Sequence, residues 1–113
     1  MYEYKIKKVN KIIDGDTIDV DIDLGFNITI FQRVRLAGIN APETRTRDLK
    51  EKELGIKSKQ WLENNLITSQ PLIIKTEKDD KYGRILGWIY IGEERVSINN
   101  KMIEEGYAVP YIP

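Results

Sequence analysis

The chain has 113 residues, 18 Lys+Arg against 18 Asp+Glu, and neither cysteine nor histidine. That length makes one domain of modest stability, residues 1–113, and the missing residue types exclude disulfides, thiolate or imidazole metal sites, histidine bases and Ser-His triads. Any catalysis falls to carboxylates, arginine, lysine, tyrosine or a hard cation, and with zero net charge any attraction to phosphate must be local.

The N-terminal stretch MYEYKIKKVNKII has no sustained apolar run, so it does not read as a signal peptide. No segment reaches membrane-spanning length, and the expected location is the cytoplasm. Residues 4–13, with Val9, Ile12 and Ile13, read as a first strand, and Asp14-Gly15-Asp16 as the turn ending it. The clearest alternation follows: Ile18, Val20, Ile22 and Leu24 on one face, Asp19, Asp21 and Asp23 on the other. It predicts a half-buried strand with a strongly acidic outer face.

Gly25-Phe26-Asn27 reads as a hairpin turn. The next strand, about 28–39, sets Val34 and Leu36 opposite Arg33 and Arg35. Residues 40–44 form a loop, since Pro42 disfavours helix in the residue before it. A helix is predicted over about 51–66, with Leu54, Trp61, Leu62 and Leu66 on its apolar side. Positive charge gathers in Thr44–Gln60, with six basic residues against three acidic, and around Lys81 and Arg84.

Strands follow at Leu72–Thr76 and about 82–91. Ser97 is placed to N-cap a helix running to Glu105, with Gly106 just past its end. Three strands, a helix, two strands and a helix make the order of an OB-fold, an α+β five-stranded barrel that often binds oligonucleotides. Such a barrel closes its own strand edges, so a monomer is expected.

Asp16 shares parity with Ile18, Val20 and Ile22, which aims it inward at the barrel mouth. A carboxylate there is costly unless it is paired or holds a metal, although turn aspartates commonly cap local amides. Arg35, Glu43 and Arg84 each have an ordinary reading as exposed strand or loop residues. As a set, two carboxylates and two arginines match phosphodiester hydrolysis: cation and arginines neutralise charge on phosphate, and a carboxylate acts on the attacking water.

The blocks Ile13-Asp14-Gly15-Asp16-Thr17-Ile18, Arg33 to Thr44, and Asp80-Lys81-Tyr82-Gly83-Arg84 resemble the staphylococcal nuclease (thermonuclease) family. So do the Ile89-Tyr90 strand and Glu105-Gly106-Tyr107-Ala108. The blocks keep the family's order over nearly the whole chain.

The resemblance implies a calcium-dependent nuclease acting on DNA or RNA with little sequence preference and leaving 3′-phosphates. It implies Asp16, Asn40 and the backbone carbonyl of Ala41 as calcium ligands, and Glu43 as the residue that orders or deprotonates water. Arg35 and Arg84 would grip the phosphate, with Lys81, Tyr82 and Tyr111 lining the nucleotide site. Two departures stand out: the family prefers aspartate where this chain has Asn40, and its familiar members continue past the position of Pro113 into a third helix. A binding module that has lost activity is the alternative reading.

Overall fold

A computed structural model describes residues 2–79 and 84–112. Five strands close into a barrel in the order β1-β2-β3-β6-β5, formed by β1 (Tyr2–Asp14), β2 (Thr17–Asp23), β3 (Thr29–Leu36), β5 (Leu72–Asp79) and β6 (Ile85–Ile91). All neighbours are antiparallel except β3 and β6. Helix α1 (Leu49–Leu66) joins the third barrel strand to the fourth, and α2 (Ile98–Glu104) follows the fifth. This is the expected OB-type barrel. A two-residue ladder, β4 (Ile39–Asn40) with β7 (Val109–Pro110), ties the loop after β3 to the C-terminal segment.

The inner face of β2 follows its alternation, with Ile18, Val20 and Ile22 buried. β1 follows a different rule. Its inward residues, Ile6, Val9 and Ile12, recur every third position, yet they pair with Ile22, Val20 and Ile18, spaced by two. A register shift between each pair absorbs the extra residue. Bulges of this kind bend a strand and increase its twist, which suits a strand wrapped around a small barrel. Simple alternation is therefore absent from β1.

Four expectations are corrected. The strand about 28–39 is two strands, because Ala37 and Gly38 form a turn with Gly38 at φ 76°. α1 begins at Leu49, where the Asp48 carboxylate accepts the backbone N–H groups of Lys50 and Glu51; Leu54 is 46% exposed, and Gly55 and Ser58 take the packed face. Leu24 is 39% exposed and lies outside the core. The outer face of β2 is less solvated than its charge suggests: Asp19 is only 6% exposed and is held by Arg33, whose Nε and Nη2 donate at 2.8 and 3.0 Å. Those hydrogen bonds hold the Asp19 carboxyl below its ordinary 3.8; burial opposes the shift, and the charges of Arg33 and Lys11 add to it. Among the described residues, no helix is long and apolar enough to cross a membrane.

Candidate active site

The turn Asp14-Gly15-Asp16 links β1 to β2 and touches three other parts of the fold. Asp16 is buried. Its Oδ2 accepts the backbone N–H of Ala41 at 2.9 Å, and its Oδ1 accepts the Thr17 hydroxyl at 3.0 Å. Asp14 Oδ1 accepts the Thr44 hydroxyl at 2.6 Å and the Thr44 N–H at 3.1 Å. The two carboxylates thus hold both ends of the loop that carries Pro42 and Glu43. Gly15 between them has no room for a side chain: a Cβ there would lie 2.9 Å from Ser58 Cβ and 3.0 Å from Ala41 Cβ.

Arg35 does not take the surface-pair role that its sequence neighbours allow; Arg33 does. The Arg35 side chain is 12% exposed, and its Nη2 sits 3.7 Å from Asp16 Oδ2. Nη1 donates to Leu36 O at 2.8 Å and reaches Asp16 O at 3.5 Å, while Nη2 donates to Ile39 O at 2.8 Å. The ring of Tyr111 lies over the guanidinium, 5.7 Å from its carbon, within cation–π range. The Tyr111 N–H donates to Gly38 O at 2.9 Å. Such a clamp fixes the guanidinium before any ligand arrives.

Asp16, Arg35, Ala41 and Tyr111 are therefore in mutual contact through Asp16 and Arg35. Asn40 is exposed, and its backbone pairs with Val109. Glu43 is exposed as well, and with Asn40 and Ala41 it lines a cleft of about 690 Å³ against α1 and the Gly106–Val109 segment. Asp16, Arg35 and Arg84 do not line that cleft. Arg84 directly precedes Ile85, the partner of Val34 in the parallel β3–β6 pair. That sets its backbone on the order of 10 Å from Arg35 by strand spacing and rise. Lys81 and Tyr82 lie outside the described residues.

Asp14, Thr44, Gly15 and Gly55 went unassigned in the sequence. Only the Asp-Gly-Asp pattern marked a special turn, and it carried no sign of a partner 30 residues away. A Cβ on Gly55 would sit 2.4 Å from the Glu43 carbonyl oxygen, so the loop rests directly on α1 there.

The donors at the turn and loop are an Asp16 carboxylate, an Asn40 amide and backbone carbonyls, all hard oxygens that suit calcium or magnesium. Among the described residues no three acidic side chains gather into a cage. A cation held here would complete its shell with water or phosphate oxygens, as magnesium commonly does.

Residues 33–112 match the family described as staphylococcal nuclease homologue. The chain is 33% identical to the thermonuclease of Staphylococcus intermedius, over 88% of this chain and 56% of that protein. It is 38% identical to the micrococcal nuclease of Shigella flexneri, over 92% and 57%. An uncharacterised protein of Methanocaldococcus jannaschii is 30% identical over 98% and 61%. The chain thus spans between 56% and 61% of the length of these three relatives.

Proposed function

The chain belongs to the staphylococcal nuclease family, and on that premise we propose that it is a metal-dependent nuclease. Its substrate is DNA or RNA, cut with little sequence preference to leave 3′-phosphates. The observation that carries this reading is the clamped Arg35, held 3.7 Å from the buried Asp16 carboxylate beside the Ala41–Thr44 loop. Buried charge of both signs, next to a loop bearing an exposed glutamate, suits phosphate chemistry better than a purely structural role.

Asp16, the Asn40 amide and the Ala41 carbonyl are the residues that would hold calcium. Bound there, the ion would neutralise charge on a non-bridging phosphate oxygen. Arg35 offers the phosphate its remaining N–H groups, and Arg84 approaches from the start of β6. Two guanidinium forks aimed at developing charge are the main stabilising electrostatic element. Glu43 orders a water for in-line attack and accepts its proton. The new bond joins the water oxygen to phosphorus and the P–O5′ bond breaks, so the phosphate stays on the 3′ side. The 5′ oxygen takes a proton from solvent. By family resemblance, Lys81, Tyr82 and Tyr111 are the residues that would contact the nucleotide.

Asn40 favours one rival, a catalytically weak binding module, because an amide brings less charge to a cation than a carboxylate does. Incubating plasmid DNA and total RNA with calcium, magnesium or chelator separates the two. Metal-dependent fragmentation ending in 3′-phosphates is expected; binding without cleavage under every condition would replace the nuclease reading with the rival.

A further inference from the structure

A basic groove lies apart from the candidate catalytic turn. This groove, of about 1000 Å³, runs along β1, walled by the C-terminal half of α1 and the segment that follows it. Lys5, Lys7, Lys8, Lys11 and Lys59 line it, against one acidic residue, Glu63. None of Asp16, Arg35, Asn40, Glu43 and Arg84 takes part. β1 also precedes residues 33–112, the part matched to the family.

Two features of β1 create the groove. The strand pairs with β5 only over Tyr2–Ile6, so from Lys7 onward its second edge has no described strand beside it. Its bulges also repeat a lysine together with each inward apolar residue: Lys5 with Ile6, Lys8 with Val9, Lys11 with Ile12. Three residues of β1 cover two of β2, so this lysine row repeats about every 7 Å along the strand axis. That is on the order of one nucleotide of an extended polynucleotide, whose backbone such basic grooves follow.

The ordinary role for these lysines is a row of cross-strand ion pairs, since the register sets Lys5, Lys8 and Lys11 opposite Asp23, Asp21 and Asp19. The side chains adopt it only as a longer-range attraction, that of Lys11 for Asp19. Among the described residues, none of the five groove lysines has a carboxylate within 4.0 Å. Asp19 is engaged by Arg33, and Asp21 accepts from Asn10 at 2.9 Å. Lys11 is partly offset by Asp19, but Lys5, Lys7, Lys8 and Lys59 stand around an open groove without a close carboxylate, on a chain of zero net charge, and leave a local field that attracts a polyanion.

We infer that this groove is a second binding surface, holding the phosphate backbone of a single nucleic-acid strand away from the catalytic loop. The identity of the ligand rests on the nuclease reading; the charge and shape of the groove do not. Backbone contacts of this kind give affinity without sequence preference and are strongly salt-dependent.

The test uses a fluorescent single strand of about 20 nucleotides, titrated in chelator so that nothing is cut, with the parent and with Lys7→Gln/Lys8→Gln/Lys59→Gln. The triple variant should bind roughly tenfold more weakly at low salt, and its slope of log affinity against log salt should fall by about 2, the contribution of three phosphate contacts on a single strand. Lys7→Arg/Lys8→Arg/Lys59→Arg should bind as the parent does. With metal restored, the Gln variant should cleave a two- to four-nucleotide substrate at the parental rate, because so short a chain reaches the catalytic turn alone. Parental affinity and salt slope in the Gln variant would overturn the groove, even in an active nuclease. Conversely, a parent that binds through these lysines but never cleaves leaves the groove standing and removes the nuclease reading.

Discussion

Asp14 accepts two hydrogen bonds from Thr44, 2.6 Å from the hydroxyl and 3.1 Å from the backbone N–H, across 30 residues of sequence. Two positions on, Asp16 accepts the N–H of Ala41. One tight turn therefore fixes both ends of the loop that bears Glu43. Charged acceptors bound to backbone amides are among the stronger hydrogen bonds available to a fold.

Removing the outer of these two anchors should show in turnover before it shows in binding. In Asp14→Ala, Thr44 loses both bonds and Glu43 gains freedom, at about 1–3 kcal/mol of stability. Misplacement of a reacting group by about 1 Å can cost as much as 10²-fold in rate. We expect kcat to fall at least tenfold while KM changes less than threefold, measured on a folded sample below its Tm. Parental kcat would mean that Glu43 is positioned by other contacts.

Gly55 tests the other support of the same loop. Intrinsic helix propensity predicts that Gly55→Ala stabilises α1 by about 1 kcal/mol. The new Cβ, however, would stand 2.4 Å from the Glu43 carbonyl oxygen and 2.9 Å from that of Pro42, and both are backbone atoms. Overpacking typically costs about 1–3 kcal/mol, so the clash should win. A lowered Tm together with reduced activity is the expected result; a raised Tm would show that the loop moves aside freely.

Gly55 also marks the limit of what the sequence discloses. Strict alternation identified the buried face of β2, and Ile18, Val20 and Ile22 are buried as expected. On α1, hydrophobicity nominated Leu54, but small residues, Gly55 and Ser58, make the close approach, and small size carries no apolar signal. β1 kept a period of three, legible only to a reader who allows one bulge per apolar residue. The inward position of Asp16 was legible through parity, whereas Arg35 was nominated by motif alone: parity grouped it with the exposed Arg33, yet its side chain is only 12% exposed. Their supports were not legible: Asp14–Thr44 closes across 30 residues, and Arg35–Ile39 depends on the turn at Ala37 and Gly38, where a single continuous strand was expected.

Acid should weaken the protein partly through Asp19. Its carboxyl titrates lower in the folded chain than its ordinary 3.8, chiefly because Arg33 donates to it. A folded pKa below the unfolded one adds stability above about pH 4–5, and the gain disappears as pH falls through the folded value. Because Arg33 is half exposed, solvent screening holds the pair to about 1 kcal/mol. Asp19→Asn should therefore be less stable than the parent in urea at about pH 7, and the difference should shrink as acid protonates the Asp19 carboxyl. A difference that persists unchanged in acid would assign it to packing.

Arg35→Lys is not a conservative change here. The guanidinium serves Leu36 O, Ile39 O and the Asp16 main chain from two nitrogens while keeping further N–H groups for phosphate. Lysine offers one point charge with three rotating donors and cannot reproduce a planar fork. Loss of one donor aimed at developing charge costs roughly 10²–10³-fold in turnover. Steady-state cleavage of a short fluorogenic oligonucleotide would measure it, and near-parental turnover would make Arg35 a structural residue.

Asn40→Asp should strengthen metal binding, and the surroundings of Asp16 give the reason. Cation affinity at oxygen sites rises with the number of charged ligands and with rigidity. At present the set expected to hold calcium has one carboxylate, Asp16, which is already committed to the Ala41 N–H and faces Arg35 at 3.7 Å. That arginine competes with a cation for the same charge. A second carboxylate at position 40 would restore a negative charge that Arg35 does not offset. Attraction to a divalent ion in a partly desolvated site exceeds its value in water. Repulsion of the introduced carboxylate by Asp16 and Glu43 opposes the change in the metal-free protein, but position 40 is exposed, so water screens that repulsion. The balance favours the bound state, by about tenfold in affinity, or roughly 1.4 kcal/mol. Calorimetric titration of parent and variant with calcium, and separately with magnesium, at one pH and ionic strength measures the difference directly. If the variant binds neither ion more tightly, residue 40 is not a ligand, and the metal, if one binds, is held by Asp16 and backbone oxygens alone.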